Sequence, residues 1–128
     1  GCIKAVHLPN SACGRLAAYV SMRKEREGIA KRVGMSALME SWQFNWAIVV
    51  DEEVDVFDEQ EVLWAVYTNV DPSRDVDVLK NQYNIFHSAA ADQKVIIDAT
   101  RPLDYAFPAK INVPQTALDR IRLADYGL

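Results

Sequence analysis

Cysteine is scarce in this sequence, and long apolar runs are missing. The two cysteines, Cys2 and Cys13, form no CxxC pair and have no histidine-rich neighbourhood, which argues against a structural zinc site or a disulfide framework. No stretch approaches the roughly 20 consecutive apolar residues of a membrane span, and the N-terminus lacks the regions of a signal peptide. We therefore expect a cytoplasmic protein with reduced thiols, no metal site and no membrane partner.

Positive charge is also in short supply. Lys and Arg total 14 against 18 Asp and Glu, and the pI is about 5.1. This balance favours neither a nucleic-acid backbone nor an anionic membrane surface, so nucleic acid is not expected as a partner. The 128 residues fit a single domain over positions 1–128. Because the chain begins Gly-Cys-Ile-Lys without an initiator methionine, we expect it to be a piece of a longer protein.

Short apolar runs alternate with segments of helical spacing. Strands are predicted at residues 3–8, 16–22, 46–50, 75–79 and 94–97, and helices between 27 and 42, at 59–69 and at 115–126. The run WAIVV is short, unbroken and β-branched, as expected for a strand that is covered on both faces. The alternation predicts an α/β layered domain with a mostly parallel or mixed sheet flanked by helices.

An acidic segment, VVDEEVDVFDEQEVLWAVYT, begins with the last two residues of this run and carries seven carboxylates. Asp51, Glu53 and Asp55 match the first three ligand positions of an EF-hand loop. The glycine position is Val56 and the twelfth position is Val62, so the calcium interpretation fails. A receiver domain of two-component signalling is a better rival, but its acidic pair should close the first strand rather than a middle one.

Helix initiation explains part of the acidic segment. Asp58 is the predicted N-cap, Glu61 would complete a capping box, and Phe57 would staple onto Val62. Asp51 lies at the carboxyl end of a predicted parallel strand, where α/β domains place functional groups. Both a bracing role and a functional role stay open for it.

The helix at 59–69 has one predicted apolar stripe, formed by Val62, Leu63, Val66 and Val70. Trp64 lies outside this stripe. We expect it to pack on another helix, domain or subunit, unless the buried face is simply wide.

Four stretches resemble one family when taken together. KAVHLPNSACGR, YVSMRKEREGIAKRV, AIVVDEEVDVFDEQEVLWAVYTNVDPSRDV and IIDATRP are similar, in order and spacing, to the C-terminal domain of the UbiD family of decarboxylases. The resemblance covers most of residues 4–102. It implies a relation to prenylated-flavin enzymes that act on aromatic and α,β-unsaturated carboxylic acids.

The resemblance also implies what this chain lacks. The family's catalytic Glu-Arg-Glu set and its metal-holding side chains belong to an N-terminal flavin-binding portion, and none of those motifs occurs here. We expect no catalytic residue in this chain, which would be a fragment or a separate small subunit that is inactive alone. The complete enzyme is expected to bind prenylated FMN with a divalent metal, Mn or Mg, and potassium, and to form a homo-oligomer.

Basic residues follow the second predicted strand. The resemblance implies that a side chain near this strand end reaches the flavin phosphate, and Arg23 and Lys24 are the matching positions. Either a guanidinium or an ammonium group suits a phosphate. The residues alone are equally compatible with a solvated stretch before a helix, with Glu25 and Glu27 as local partners.

The remaining polar residues are weaker candidates for a catalytic or binding role. Asp98, Thr100 and Arg101 in DATRP are interpreted as turn and inter-domain contacts. The two histidines, His7 and His87, are too isolated for a metal site or a proton relay.

Two functions remain open. In the first, the domain completes a prenylated-flavin decarboxylase, closes one side of its cleft and supplies oligomer contacts. In the second, it is a non-enzymatic regulatory or assembly module, receiver-like or protein-binding, that docks through Asp51, Asp55 or the Trp64 face. Co-purification with a flavin-bearing subunit would distinguish the two.

Overall fold

The computed structural model of the chain describes residues 1–83, 92–104, 106, 108, 111, 113–121 and 125. Its strands are β1 (Ile3–His7), β2 (Ala17–Met22), β3 (Trp46–Asp51), β4 (Val76–Gln82) and β5 (Asp92–Asp98). Its α-helices are α1 (Ile29–Glu40), α2 (Glu59–Asn69), α3 (Pro72–Asp75) and α4 (Gln115–Leu118), and a short 3₁₀ helix covers Asn10–Ala12.

The five strands form one mixed sheet in the order β1-β2-β3-β5-β4. The central strands β2, β3 and β5 are parallel, and each edge strand runs antiparallel to its neighbour. Met22 is paired with Asp51, and Val49 is paired with Asp98. The three central strands therefore end at the same edge of the sheet. The predicted α/β layered fold with a mixed sheet is confirmed.

The two faces of β3 supply two separate layers of the core. Ala47 and Val49 lie in the apolar clusters beneath α1, whereas Ile48 and Val50 lie in the cluster beneath α2. All four side chains are buried. This two-sided burial explains why the WAIVV run contains no polar residue.

The start of α2 agrees only in part with the prediction. Asp58 is the N-cap, because its Oδ1 accepts a hydrogen bond of 2.9 Å from the backbone N–H of Gln60. The capping box is wrong: Glu61 Oε2 accepts instead from the N–H of Asp55, at 3.1 Å. Glu61 thus holds the preceding loop rather than the cap residue itself.

The buried side of α2 also differs from the predicted stripe. Val62 and Ala65 have no exposed surface, while Leu63 is 36% exposed and lies outside the core. The predicted staple of Phe57 onto Val62 is wrong as well. Phe57 is 65% exposed, and the centroid of its ring lies 4.9 Å from that of His7.

The end of the chain contains less helix than predicted. The expected helix at 115–126 is confirmed only for Gln115–Leu118, and residues 119 and 120 form a turn. Positions 122–124 and 126–128 lie outside the described residues, as does His87. The strand expected from residue 75 begins at Val76, because Pro72 opens the short helix α3 with Asp71 as its cap.

Candidate functional site

Three loops meet where the central strands end, and we call this surface the carboxyl edge. It comprises residues 23–28 after β2, 51–58 at the end of β3 and beyond it, and 99–104 after β5. Ligands of α/β sheets bind outside the carboxyl ends of the strands. Four of the five site residues expected from the sequence lie here, namely Arg23, Lys24, Asp51 and Asp55.

Lys24 is the buried centre of the carboxyl edge, with a side chain only 4% exposed. Its Nζ lies 2.7 Å from Glu27 Oε2 and 3.9 Å from Asp98 Oδ2, and it donates a hydrogen bond of 3.2 Å to the carbonyl oxygen of Arg101. A buried ammonium group is tolerated only when it is paired and hydrogen-bonded in this way. Lys24 therefore ties the loop after β2 to the loop after β5.

Arg101 is held at three points. Its N–H donates to Asp51 Oδ2 at 2.9 Å, its carbonyl accepts from Lys24, and its Nη1 lies 3.0 Å from Glu53 Oε1. Asp98 Oδ1 accepts from both the N–H and the hydroxyl of Thr100, which closes the turn predicted for DATRP. These contacts fix the loop after β5 against both neighbouring loops.

Asp51 is a carboxylate in an unfavourable position. Burial raises its pKa above the usual value, and the nearby charge of Glu53 acts in the same direction. The hydrogen bond from Arg101 and the charges of Arg101 and Lys24 offset only part of this effect. Asp51 therefore orders the carboxyl edge at a cost in folding free energy, because its ionised form is disfavoured there.

Glu27 is the second carboxylate that fastens this edge. It accepts a hydrogen bond of 2.5 Å from the N–H of Leu103 and pairs with Lys24. Burial acts to raise its pKa, but the hydrogen bonds from Lys24 and Leu103 outweigh burial, and the pKa falls below its usual value. Glu27 is thus a local partner of Lys24, as the sequence allowed.

Arg23 differs from Lys24 because it faces solvent, with a side chain that is 57% exposed. Its Nε lies 3.4 Å from Glu52 Oε1, and Lys4 Nζ lies 3.5 Å from the other oxygen of the same carboxylate. Ion pairs this exposed contribute little to stability. Arg23 can therefore leave Glu52 for an external anion, whereas the ammonium group of Lys24 is covered.

The last two expected site residues have different surroundings. Asp55 Oδ1 accepts a hydrogen bond of 2.9 Å from the N–H of Phe57, so Asp55 braces the loop before α2 while remaining exposed. Trp64 lies on α2 rather than on the carboxyl edge, and it is 42% exposed.

A hydrogen-bonded cluster that the sequence did not reveal joins β2 to α2. Glu59 Oε1 accepts from the hydroxyl of Tyr19 at 2.6 Å and from that of Ser11 at 2.5 Å. Burial raises the pKa of Tyr19 to about 12, and the bond to Glu59 adds to the effect. Its position in the first turn of α2 indicates by itself only a favourable interaction of Glu59 with the helix dipole. Its partners lie 40 and 48 positions away, beyond the reach of local spacing.

Two of the clefts on the carboxyl edge are lined in part by Lys24. The larger, of about 310 Å³, is lined by charged side chains from the start of α1, from α3 and β4, and from the loop after β5. The smaller, of about 160 Å³, includes Arg23, Asp51 and Arg101. Within the described part of the chain, no group of three or more His, Cys, Asp or Glu residues could hold a metal ion. No helix in that part is long and apolar enough to cross a membrane.

The family model of the 3-octaprenyl-4-hydroxybenzoate carboxy-lyase C-terminal domain, UbiD_C, matches residues 1–99. The chain belongs to the UbiD family. It corresponds to the family's C-terminal domain, so the resemblance seen in the sequence is confirmed.

Solved UbiD-class structures share the fold of this domain. The chain is 36% identical to the UbiD-class enzyme HmfF from Pelotomaculum thermopropionicum in complex with FMN, with a TM-score of 0.82. It is 39% identical to an evolved dimeric form of that enzyme in complex with prFMN, with a TM-score of 0.76. Vanillic acid decarboxylase from Sedimentibacter hydroxybenzoicus, in its closed form, is 26% identical with a TM-score of 0.74.

The alignments with these structures cover 97% of this chain in each case. They cover only 29%, 26% and 28% of the other chains, in the same order. This UbiD domain therefore spans less than a third of the proteins that it matches.

Proposed function

We propose that this chain is the C-terminal domain or small subunit of a UbiD-type (de)carboxylase that acts on aromatic or α,β-unsaturated carboxylic acids. The domain closes one side of the catalytic cleft and contributes to oligomerisation, and it is not catalytic alone. Its partner is an N-terminal flavin-binding portion, on the same chain or on a large subunit. We assign the assembly to the cytoplasm.

The main support for this proposal is the carboxyl edge, which lies in a domain that belongs to the UbiD family. Three loops are fixed together by the buried Lys24 and by Arg101, and together they form a charged face. The carboxylates Asp51, Glu53 and Glu27 each accept a hydrogen bond or an ion pair that orders a loop. A face of this kind suits docking against a second protein surface that carries the reacting groups.

Arg23 is the residue of this chain that we propose for the flavin phosphate. Its guanidinium group is exposed and only weakly paired, so it can form charge-assisted hydrogen bonds to a phosphate. Lys24, the other candidate, would act through the loop that it orders, since its ammonium group is already engaged. Prenylated FMN, when bound, supplies the electron sink for carbon dioxide loss. In this proposal the divalent metal and potassium belong to the flavin-binding portion.

We propose three interface residues that have different roles, namely Asp51, Asp55 and Trp64. Asp51 shapes the edge from within, through Arg101. Asp55 is exposed on the loop before α2 and can reach a docked surface directly. Trp64 offers a large, partly exposed aromatic ring on a separate face.

Reconstitution tests this function. Carbon dioxide release from a panel of aromatic and α,β-unsaturated acids is measured for the flavin-binding portion, for this chain, and for the two combined. We expect release only from the combination, together with a flavin absorbance spectrum in the co-purified complex. Release by this chain alone, or failure to associate with any flavin-bearing protein, would overturn the proposal. The latter result would favour a non-enzymatic module.

A further inference from the structure

The smaller cleft on the carboxyl edge, of about 160 Å³, contains two arginines that come from different loops. Arg23 follows β2, and Arg101 follows β5. The backbone of Arg101 is fixed on both sides, because its N–H donates to Asp51 and its carbonyl oxygen accepts from Lys24. Two guanidinium groups are therefore presented to one cleft by loops that are tied to each other.

Each of these arginines is paired with a carboxylate of the loop after β3. Arg23 Nε lies 3.4 Å from Glu52 Oε1, and Arg101 Nη1 lies 3.0 Å from Glu53 Oε1. The side chains of the two glutamates are 40% and 51% exposed. Ion pairs with this exposure contribute little to stability. Both arginines can therefore exchange their glutamate for a stronger anion.

The charges that line the cleft are balanced while these pairs are formed. Three cationic and three anionic side chains line it, namely Arg23, Lys24, Arg101, Asp51, Glu52 and Glu53. Burial raises the pKa of Asp51, and the nearby charge of Glu53 adds to this effect, so negative charge is already crowded here. A phosphate that enters the cleft is therefore repelled unless Glu52 and Glu53 move away from it.

Lys4 gives Glu52 a second partner. Its Nζ, on β1, lies 3.5 Å from Glu52 Oε2. When Arg23 turns to an external anion, Glu52 therefore keeps one ion pair. Glu53 is half exposed and can be solvated by water instead. The exchange consequently leaves no carboxylate buried without a partner, which would be unfavourable.

Size and chemistry restrict what this cleft can bind. Pockets for drug-sized ligands have volumes of about 300–1,000 Å³. A cleft of about 160 Å³ is smaller and suits one small anionic group. Guanidinium groups match the geometry of a phosphate through paired hydrogen bonds. These features favour the phosphate of a flavin nucleotide over its ring system.

We propose that Glu52 and Glu53 are internal competitors of the flavin phosphate, which hold Arg23 and Arg101 until the phosphate displaces them. This inference rests on the proposed function, in which Arg23 contacts that phosphate, and it adds Arg101 as a second contact. The apparent affinity for the cofactor is lowered by the fraction of molecules in which the arginines stay paired. Displacement frees two carboxylates on the loop that leads into α2, so cofactor binding is coupled to the docking surface.

The first experiment compares FMN with riboflavin, which lacks the phosphate. Quenching of flavin fluorescence gives the dissociation constants of both for the complete protein. Glu52→Gln and Glu53→Gln each remove one competing charge and keep the size of the side chain. Each should tighten FMN binding by about 3-fold and leave riboflavin binding unchanged.

Glu40→Gln is the matched control. Glu40 is an exposed glutamate at the far end of α1 from the loop after β2, about 18 Å along a helix of 12 residues. Its substitution changes the net charge by the same amount as the other two. It should leave both dissociation constants unchanged.

Lys4→Gln should have the opposite effect and weaken FMN binding, because Glu52 then depends on Arg23 alone. In the background of Glu52→Gln the same substitution should have no effect, since the shared carboxylate is gone. This double-mutant cycle separates an exchange of partners from a general effect of charge. Equal weakening by Lys4→Gln in both backgrounds would overturn the exchange.

The remaining outcomes are also decisive. Equal FMN affinities of E52Q, E53Q and E40Q would overturn the proposal, as would equal tightening of FMN and riboflavin binding. Tightening by E52Q but not by E53Q would remove Arg101 from the phosphate contact. If the wild-type protein binds no FMN, the proposed function fails together with this inference. If it binds FMN and the glutamate variants change nothing, only this inference fails.

Discussion

At the scale of single residues, the carboxyl edge depends on charges placed where they are partly desolvated. Asp51 is the clearest case, because burial raises its pKa while its oxygen holds the N–H of Arg101. The hydrogen bond needs an oxygen acceptor but no negative charge. The geometry of the edge and the charge of Asp51 can therefore be separated by experiment.

Asp51→Asn is expected to be at least as stable as the wild type at pH 7. In the folded state the pKa of Asp51 lies above 3.8, the ordinary value for an aspartate, so ionisation of Asp51 costs folding free energy at neutral pH. This cost disappears as the pH falls below 3.8, and the advantage of the variant should shrink towards pH 3. Urea unfolding at both pH values measures it, with Asp55→Asn, in the exposed part of the same loop, as control. This explanation would be contradicted if Asp51→Asn were less stable than the wild type at pH 7 but not at pH 3.

Arg23→Ala should weaken FMN binding by the complete protein by about 10-fold or more, because charge-assisted hydrogen bonds contribute roughly 1.5–3 kcal/mol. Arg15→Ala is the control, since Arg15 is an exposed arginine just before β2, at the opposite end of that strand from Arg23. Quenching of flavin fluorescence during titration gives both dissociation constants. Equal affinities of the two variants would remove Arg23 from the cofactor site.

At the scale of elements, the close packing of α1 on the sheet depends on a glycine within the helix, Gly34. Gly34 lies in the middle of this helix, where glycine costs about 1 kcal/mol relative to alanine. A Cβ at this position would lie 2.5 Å from Cγ2 of Ile96, which is fully buried. Helix propensity and packing therefore make opposite predictions for one substitution.

Gly34→Ala is expected to destabilise the protein by about 1–3 kcal/mol, because overpacking outweighs the gain in propensity. In the background of Ile96→Ala, where Cγ2 is removed, the same substitution should be neutral or stabilising. A double-mutant cycle by urea unfolding measures this change of sign. The packing argument is wrong if Gly34→Ala stabilises the wild-type chain.

Local pattern was sufficient to predict most of these elements. The central strands β2, β3 and β5 could be predicted from short apolar runs. The bounds of α2 could be predicted from helical spacing and from the cap at Asp58. Each of these signals lies within a few residues of sequence. The capping box failed because Glu61 has a competing donor, the N–H of Asp55, that only the folded loop brings near. The close contact of Gly34 with Ile96 joins positions that no local rule connects.

At the scale of the whole molecule, the order of the strands decides which charges meet. Because β2, β3 and β5 are adjacent and parallel, the loops that follow them converge at the carboxyl edge. Asp51 was predicted there from the end of a single strand. The pairs of Arg101 with Glu53 and of Lys24 with Asp98 depend on strand order, which the sequence pattern does not specify. Burial of Lys24 was unexpected for the same reason.

The central claim is that the carboxyl edge is the face that this UbiD domain presents to a flavin-binding partner. Hydrogen–deuterium exchange, measured on the domain alone and in complex with that portion, tests the claim directly. The account predicts slower exchange on docking at residues 23–28, 51–58 and 99–104, and unchanged exchange at residues 42–46, at the opposite ends of the strands. Protection confined to residues 42–46, or no protection at the carboxyl edge, would contradict it.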